Sequence, residues 1–325
     1  MGYAVVLGEA LVDLLDGECA GEPVYRQAVG GAPLNVAVGA ARLGADVEFV
    51  GSVGDDVLAG RIRDFLAAVK VGQRGIVSTP APTALGVATF AGVEPDFRFY
   101  GAPLSYGLLD AEDLDVPLIK DASVLYAGSI ALLCPPVLAA ARRAWSLATG
   151  RRVFDPNVRP RLLPDQAALA DLRAVVAEFA ASADLVKLSA ADAEVLYGAS
   201  SGESAGSAGS AESAAERLRE LGTETVVVTC GARGALVSAG AGGGEGSGAV
   251  WVPAPVVRAV DATGAGDSVM GALIADLLAH GPPTDPDGWP ERVAFALRVA
   301  GLVCESPGGA VAMPTRAEVT RRFPA

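Results

Sequence analysis

The run Asp261-Ala-Thr-Gly-Ala-Gly-Asp267-Ser-Val-Met-Gly-Ala-Leu-Ile joins a turn of small residues directly to an apolar-periodic stretch. Gly264, Ala265 and Gly266 let successive backbone N–H groups converge at the start of the following helix, where the dipole favours an anion. Asp267 stands at the same point and could accept a proton; the plain alternative is an N-cap behind a glycine turn. A second glycine site, Gly30-Gly31-Ala-Pro-Leu-Asn35, also lies at a strand-to-helix junction. There the glycines admit close approach of a ligand and Asn35 offers a donor and an acceptor, or the stretch is a tight turn with a polar residue in the first helical turn. In Gly8-Glu9-Ala-Leu-Val-Asp13, Asp13 follows a strand and either binds hydroxyls or is an exposed turn carboxylate. Asp155-Pro-Asn157-Val-Arg159-Pro sets three polar side chains in a proline-stiffened loop. Thr229-Cys-Gly231-Ala-Arg-Gly234 is a further loop with two permissive glycines.

Composition removes several competing chemistries. Of 325 residues, 51% are apolar and 19% charged, which excludes wholesale disorder. A net charge of −13 argues against a general nucleic-acid-binding surface. The one histidine, His280, cannot supply a two-His metal site, and its turn-like run His-Gly-Pro-Pro is a poor place for a Ser-His-Asp base. None of the three lysines, Lys70, Lys120 and Lys187, follows a glycine, so there is no GxxxxGK[ST] phosphate loop; nor is there an HRD-like catalytic loop. If the protein is an enzyme, a carboxylate is the expected base. Cys19, Cys134, Cys230 and Cys304 are far apart and fit reduced thiols better than a disulfide frame or a zinc site. With no secretory leader pattern and no apolar run long enough to span a bilayer, the expectation is a soluble, cytoplasmic protein without membrane partners.

The elements that must position these residues follow from periodicity. Residues 4–8 and 46–50 read as strands, Pro33–Leu43 as a helix with Pro33 in its first turn, and Leu58 to Val69 as an amphipathic helix. Thr83–Phe90 and Phe97–Tyr100 read as paired strands around a turn at Glu94-Pro95-Asp96. From residue 123 strands near 123–127, 152–154, 184–188 and 225–229 alternate with helices near 136–148, 166–181 and 211–221. This predicts βαβ units in a mostly parallel sheet, α/β in class, with helices on both faces. A hairpin at 234–239 and 249–253 and helices near 266–279 and 290–304 complete the pattern. The Ala/Ser/Gly-rich segments 199–213 and 240–248 read as surface loops. Loops after the strands bearing Asp155, Ser189 and Thr229 should share one sheet edge, where open α/β sheets bind ligands.

Taken together, these motifs resemble the ribokinase-like (PfkB) carbohydrate kinases over nearly the whole chain. Gly30-Gly31-Ala-Pro-Leu-Asn35, continuing to Arg42-Leu-Gly44 and Gly51-Ser-Val-Gly54-Asp-Asp56, is similar to the family's amino-terminal signature. Asp261-Ala-Thr-Gly264-Ala-Gly266-Asp267 is similar to its carboxy-terminal one, and Asp155-Pro-Asn157-Val-Arg159, Val186-Lys187-Leu-Ser189, Thr229-Cys-Gly231 with Gly234, and Pro307-Gly-Gly309 support both. The resemblance implies one ribokinase-like domain over 1–325, with a β lid drawn from about 10–32 and 84–108 that could mediate a homodimer. It implies transfer of the ATP γ-phosphoryl group to a sugar hydroxyl, with Asp267 as base and the amides of Gly264, Ala265 and Gly266 as anion hole. Asp13, Gly30, Gly31, Asn35, Arg98 and Arg159 would then meet the sugar. Lys187, Ser189, Thr229, Gly231 and Gly234 would meet the nucleotide. Asp261 and Thr263 would hold a monovalent cation such as K+, and Asp192 would act on Mg2+ through water.

The chain departs from the family's pattern at several positions. Ala262 stands for a usual Thr, Val269 for a frequent Phe, Ser189-Ala-Ala-Asp192 for Asn-x-x-Glu, and Gly101 for an arginine after Tyr100. Among subfamilies the motifs look most similar to bacterial fructokinases, which points to D-fructose and fructose 6-phosphate. The 2-keto-3-deoxygluconate kinases share several features, and their acidic sugar would want a cation such as Arg98 or Arg159. A non-catalytic sugar- or nucleotide-binding regulator has no need to keep Asp267. Val269 at the third glycine position argues against a nicotinamide oxidoreductase.

Overall fold

The computed structural model describes residues 2–91, 94–198, 207–240 and 248–324. The chain begins with β1 (Ala4–Leu7), β2 (Leu11–Cys19), β3 (Glu22–Gly30), α1 (Ala32–Arg42), β4 (Val47–Val53) and α2 (Val57–Ala68). It continues through β5 (Gly72–Ser78), β6 (Leu85–Ala91), β7 (Glu94–Tyr100), α3 (Val116–Lys120), β8 (Val124–Gly128) and α4 (Pro135–Leu147). Then come β9 (Arg151–Asp155), α5 (Gln166–Ala180), β10 (Leu185–Ser189), α6 (Ala190–Tyr197), α7 (Ser207–Leu221) and β11 (Thr225–Thr229). The last elements are β12 (Ala235–Ala239), β13 (Val250–Val252), α8 (Ala265–His280), α9 (Trp289–Cys304) and α10 (Arg316–Arg322).

Among the described residues, nine strands form one sheet in the order β13-β12-β11-β10-β9-β8-β1-β4-β5. Neighbours from β11 to β5 run parallel, and the β11-β12-β13 edge is antiparallel. Ala4–Leu7 is apolar at every position because β1 lies mid-sheet and is covered on both faces. One face carries a core with Val36, Leu273 and Val299; the other carries Trp145, Phe154 and Phe179, whose rings pack within 4.9–6.4 Å of one another. Because β1, β8, β9, β10 and β11 are parallel, the loops that follow them emerge on one edge.

A separate sheet, β3-β2-β6-β7, comes from within the two segments expected to form a lid. Its hairpin pairs Leu11 with Gly30 at the root and Cys19 with Glu22 at the tip.

Four local expectations change. Residues 207–213 belong to α7, since Ala211, Ala214 and Leu218 bury one stripe of it; the rest of the 199–213 segment lies outside the described residues, as does 241–247. Glu94–Asp96 lie inside β7, not in a turn, because the β6 ladder extends to Ala91↔Glu94. The hairpin β2–β3, implied by the resemblance alone, and strand β5 carry too little period-2 alternation for periodicity to give them. Asp13 therefore sits within a strand, not after one.

Candidate active site

A cavity of about 560 Å³ opens between the carboxyl edge of the large sheet and the inner face of the small one. A hollow of about 630 Å³ at the opposite edge, beside Asp184 and Thr225, contains none of the candidate residues.

Asp267 lies in the first turn of α8, at the cavity, and is 8% exposed. Gly264 caps that helix in the left-handed conformation (φ 77°), and a Cβ there would stand 2.9 Å from the Cα of Gly309. The Ala265 N–H donates to Ala262 O at 3.1 Å, so that amide is committed to the turn, and Ala265 does not line the cavity. The expected three-amide anion hole is thus reduced at Ala265. Gly266 and Asp267 keep amides ahead of the first i→i−4 bond, from Ser268 N–H to Gly264 O at 2.8 Å.

Two side-chain amides address the Asp267 carboxylate. Asn35 Nδ2 donates to Oδ2 at 2.8 Å and Asn157 Nδ2 to Oδ1 at 3.5 Å. The first contact depends on α1 and α8 touching. A Cβ at Gly271, one turn beyond Asp267, would come within 2.9 Å of Val36 O and Ala40 N. Gly39, one turn beyond Asn35, lies against Ser268 and Gly271. Burial raises the Asp267 carboxyl above its ordinary range, while Lys187, the Asn35 hydrogen bond and Arg159 oppose the rise.

Beneath this point Lys187 of β10 pairs with Asp155 of β9 at 2.7 Å, with side-chain exposures of 4% and 0%. Burial pushes the ammonium down, but Asp155 and Asp267 outweigh it and the group is raised. Burial likewise lifts the Asp155 carboxyl, to about 6, against the pull of Lys187. A Cβ at Gly266 would stand 3.1 Å from the Lys187 ammonium, so that cation borders the anion-binding turn. Ser189 and Asp192 form a capping box at the start of α6, and Asp192 Oδ1 also accepts the Val158 N–H at 2.9 Å, tying α6 to the Asp155–Arg159 loop. Thr229, Gly231 and Ser189 border the cavity as expected from their strand ends.

Asp13 faces Asp267 across the cavity and is 8% exposed. Burial, then Asp267 and Glu9, raise its carboxyl to about 7. It fits because its neighbours on both sides are glycines: a Cβ at Gly30 would strike its carboxylate, and one at Gly86 would come within 2.5 Å. Gly30 therefore acts by leaving room, whereas Gly31 and Asn35 line the cavity directly.

Two further expectations are corrected, at Arg98 and at Gly234. Arg98 is exposed, while Phe97 and Phe99 line the cavity; the strand's alternation sends the arginine to the other face. Gly234 is set back: with φ 102°, its missing Cβ makes room for Val252 O in the β12–β13 edge. Asp261 is buried away from the cavity, accepting the N–H groups of Thr263 and Gly308, each at 2.8 Å. Thr263 does border the cavity, and its hydroxyl is buried without a hydrogen-bond partner. Among the described residues no group of three or more His, Cys, Asp or Glu is arranged to hold a metal ion, and no helix is long and apolar enough to cross a membrane.

Residues 1–316 match the model of the pfkB family carbohydrate kinases. The chain belongs to that family. A fructokinase from Klebsiella pneumoniae is 34% identical, covering 98% of this chain and 99% of its own. The structure of fructokinase from Vibrio cholerae O395 in fructose-, ADP- and calcium-bound form superimposes with a TM-score of 0.84 at 27% identity, covering 99% and 98% of the two chains. The aminoimidazole riboside kinase of Salmonella enterica, complexed with its riboside and an ATP analogue, follows at 0.83 and 26%, covering 99% and 100%. The protein is an ATP-dependent carbohydrate kinase of ribokinase-like fold.

Several residues that line the cavity stand outside the motifs that mark the others. Phe97 and Phe99 stack at 6.2 Å on the small sheet, and Arg161 joins Arg159 on the rim. Glu9 is 1% exposed, lines the cavity, and is lifted to about 7 by burial against its hydrogen bonds. Its position just past the end of a buried strand was the available signal.

Proposed function

We propose that the kinase phosphorylates D-fructose at its 6-hydroxyl, with Asp267 taking the proton as the hydroxyl oxygen attacks the γ-phosphorus in line. The observation that carries this reading is Asp267 itself, buried at a helix N-terminus and held by Asn35 and Asn157 opposite the acceptor Asp13. The sugar oxygen forms its bond to phosphorus as the bond to the ADP oxygen breaks. In a loose transition state the proton moves late, so a carboxylate is base enough, and the raised pKa makes ionised Asp267 the better acceptor. Negative charge gathering on the phosphoryl oxygens meets the amides of Gly266 and Asp267 and the nearby Lys187 ammonium.

Asp13 and the buried, unpartnered Oδ1 of Asn35 supply acceptors for sugar hydroxyls, and Gly31 admits the ring closely. Thr229 and Gly231 border the nucleotide. Mg2+ keeps most of its water and binds through phosphates and one or two carboxylates, and Asp192 suits an outer contact of that kind, its oxygens being shared with N–H and O–H donors. Bound there, the ion would neutralise phosphate charge. A monovalent cation beside Asp261 and Thr263 belongs to the same reading, since the Thr263 hydroxyl lacks a partner.

Arg159 and Arg161 on the rim favour one second reading, an acidic sugar such as 2-keto-3-deoxygluconate. ADP release measured with D-fructose, D-ribose, aminoimidazole riboside and 2-keto-3-deoxygluconate tests both. D-fructose should give the highest kcat/KM. A tenfold preference (about 1.4 kcal/mol) for 2-keto-3-deoxygluconate would establish the second reading instead. Binding of sugar and ATP without any turnover would establish a regulator.

A further inference from the structure

Glu9 is a buried carboxylate in the cavity wall that takes no part in the reaction above. It lies in the short bend between β1 and β2. Its Oε1 accepts the Ser129 hydroxyl at 2.6 Å and the Ala32 N–H at 3.2 Å, and its Oε2 accepts the Ala131 N–H at 3.2 Å. Ala32 is the first residue of α1, and Ala131 belongs to the 3-10 turn Ile130–Leu133 after β8. Neither element has a side-chain cap of its own, since Gly31 and Ser129 at the cap positions make no such bond. Glu9 supplies, from a different part of the chain, the acceptor that a capping side chain ordinarily provides.

The backbone at Glu9 completes the junction. Gly31 has φ 112° and lies so close to the Glu9 carbonyl that a Cβ there would collide with it. Leu11 and Gly30 form the first ladder pair of the small sheet, so both strands of its hairpin leave the large sheet beside Glu9. Asp13 is two residues along one strand from that pair. Asn35 is one helical turn beyond Ala32 and donates to Asp267.

We infer that Glu9 is a positioning residue, clasping the root of the small sheet to the first turn of α1 and to the Ser129 turn. By this clasp it sets where Asp13 and Asn35 stand relative to Asp267. The inference rests on the reading that Asp13 and Asn35 bind the sugar.

The test is steady-state kinetics of Glu9→Gln, Ser129→Ala and the double variant with D-fructose and ATP. Glutamine keeps the size and one acceptor oxygen but turns an NH2 group towards one of the donors. A charged hydrogen bond of that kind corresponds to a change of about tenfold or more. The KM for D-fructose should therefore rise about tenfold in Glu9→Gln, while the KM for ATP stays within about twofold, as for an independent site. Ser129→Ala should show the same split to a smaller degree, and the double variant should fall short of the product of the two. A folded Glu9→Gln with unchanged sugar KM overturns the inference, as does an equal rise in both KM values, which reports general loosening. If Glu9→Gln does not fold, Ser129→Ala alone decides by the presence or absence of the split. Should wild type not phosphorylate D-fructose at all, the sugar assignment has failed and not the clasp; the same variants are then compared with whichever of the other three sugars wild type turns over.

Discussion

Asn35 and Asp267 are separated by 232 positions in the chain, yet Nδ2 of the first donates to Oδ2 of the second at 2.8 Å. One turn further along each helix a glycine replaces the side chain that would hold α1 and α8 apart: Gly39 on one, Gly271 on the other. The hydrogen bond at the site and the close helix crossing beneath it are parts of one arrangement.

Asp267→Asn keeps the shape and removes the base. We expect kcat to fall roughly 10²–10⁴-fold, the range for loss of general-base catalysis. The KM for ATP should be largely kept. A coupled assay of ADP release measures both, and turnover near that of wild type would reject Asp267 as base.

Asn35→Ala removes a hydrogen bond to the ionised form of Asp267 and so raises that carboxyl further. The base is then ionised only at higher pH. The acid limb of the kcat profile should move up by about one pH unit, the equivalent of a charged hydrogen bond. A profile over pH 5–9 at saturating sugar is the measurement, and an unmoved limb speaks against the coupling.

Gly271→Ala places a Cβ 2.9 Å from backbone atoms of α1. The atoms it meets are backbone and not the ends of flexible side chains, so the variant should lose about 1–3 kcal/mol by overpacking, and kcat should fall as Asn35 is displaced. Gly60→Ala in α2, where a Cβ meets nothing within 4 Å, is the control. It should stabilise by about 0.5–1 kcal/mol, as expected for alanine in a helix interior. Urea unfolding of both variants tests the contrast.

Burial, with the charges of Asp267 and Glu9, raises the Asp13 carboxyl from its ordinary 3.8 to about 7. Its contribution to stability is complete below the unfolded value and is lost as pH rises through about 7. Asp13→Asn should therefore melt higher than wild type at pH 8, with the difference vanishing towards pH 4, while sugar binding is lost. Equal melting temperatures at pH 8 would show that the ionised carboxylate is not strained by burial. In wild type, the KM for sugar should rise as pH falls below about 7 and Asp13 takes up a proton.

Lys187→Met leaves Asp155 buried and unpaired, which costs about 3–5 kcal/mol. Adding Asp155→Asn should restore much of that stability. Phosphoryl transfer should stay impaired in the double variant, because the cation beside Gly266 is still missing. Recovery of kcat together with stability would reduce Lys187 to a structural role.

Much of the site was legible because its chemistry is written in local runs. The Gly-Ala-Gly turn before an apolar helix announces free amides and a carboxylate at one point, and strand-helix alternation implies that the loops bearing Asp155, Ser189 and Thr229 share an edge. Such signals span a handful of neighbouring residues, so sequence alone carries them. Tertiary structure decided what depends on distant partners. It turned Arg98 outward by one step of strand alternation, used Gly30 and Gly86 as room for Asp13, committed the Ala265 amide to its own turn, and joined Lys187 to Asp155 across two strands. It also gave Glu9 three donors from segments that lie 23 to 122 positions away. A residue type states which bonds a side chain can make. Only the packing of helices and strands determines which partners come within 3 Å of it, and how much water is left to compete.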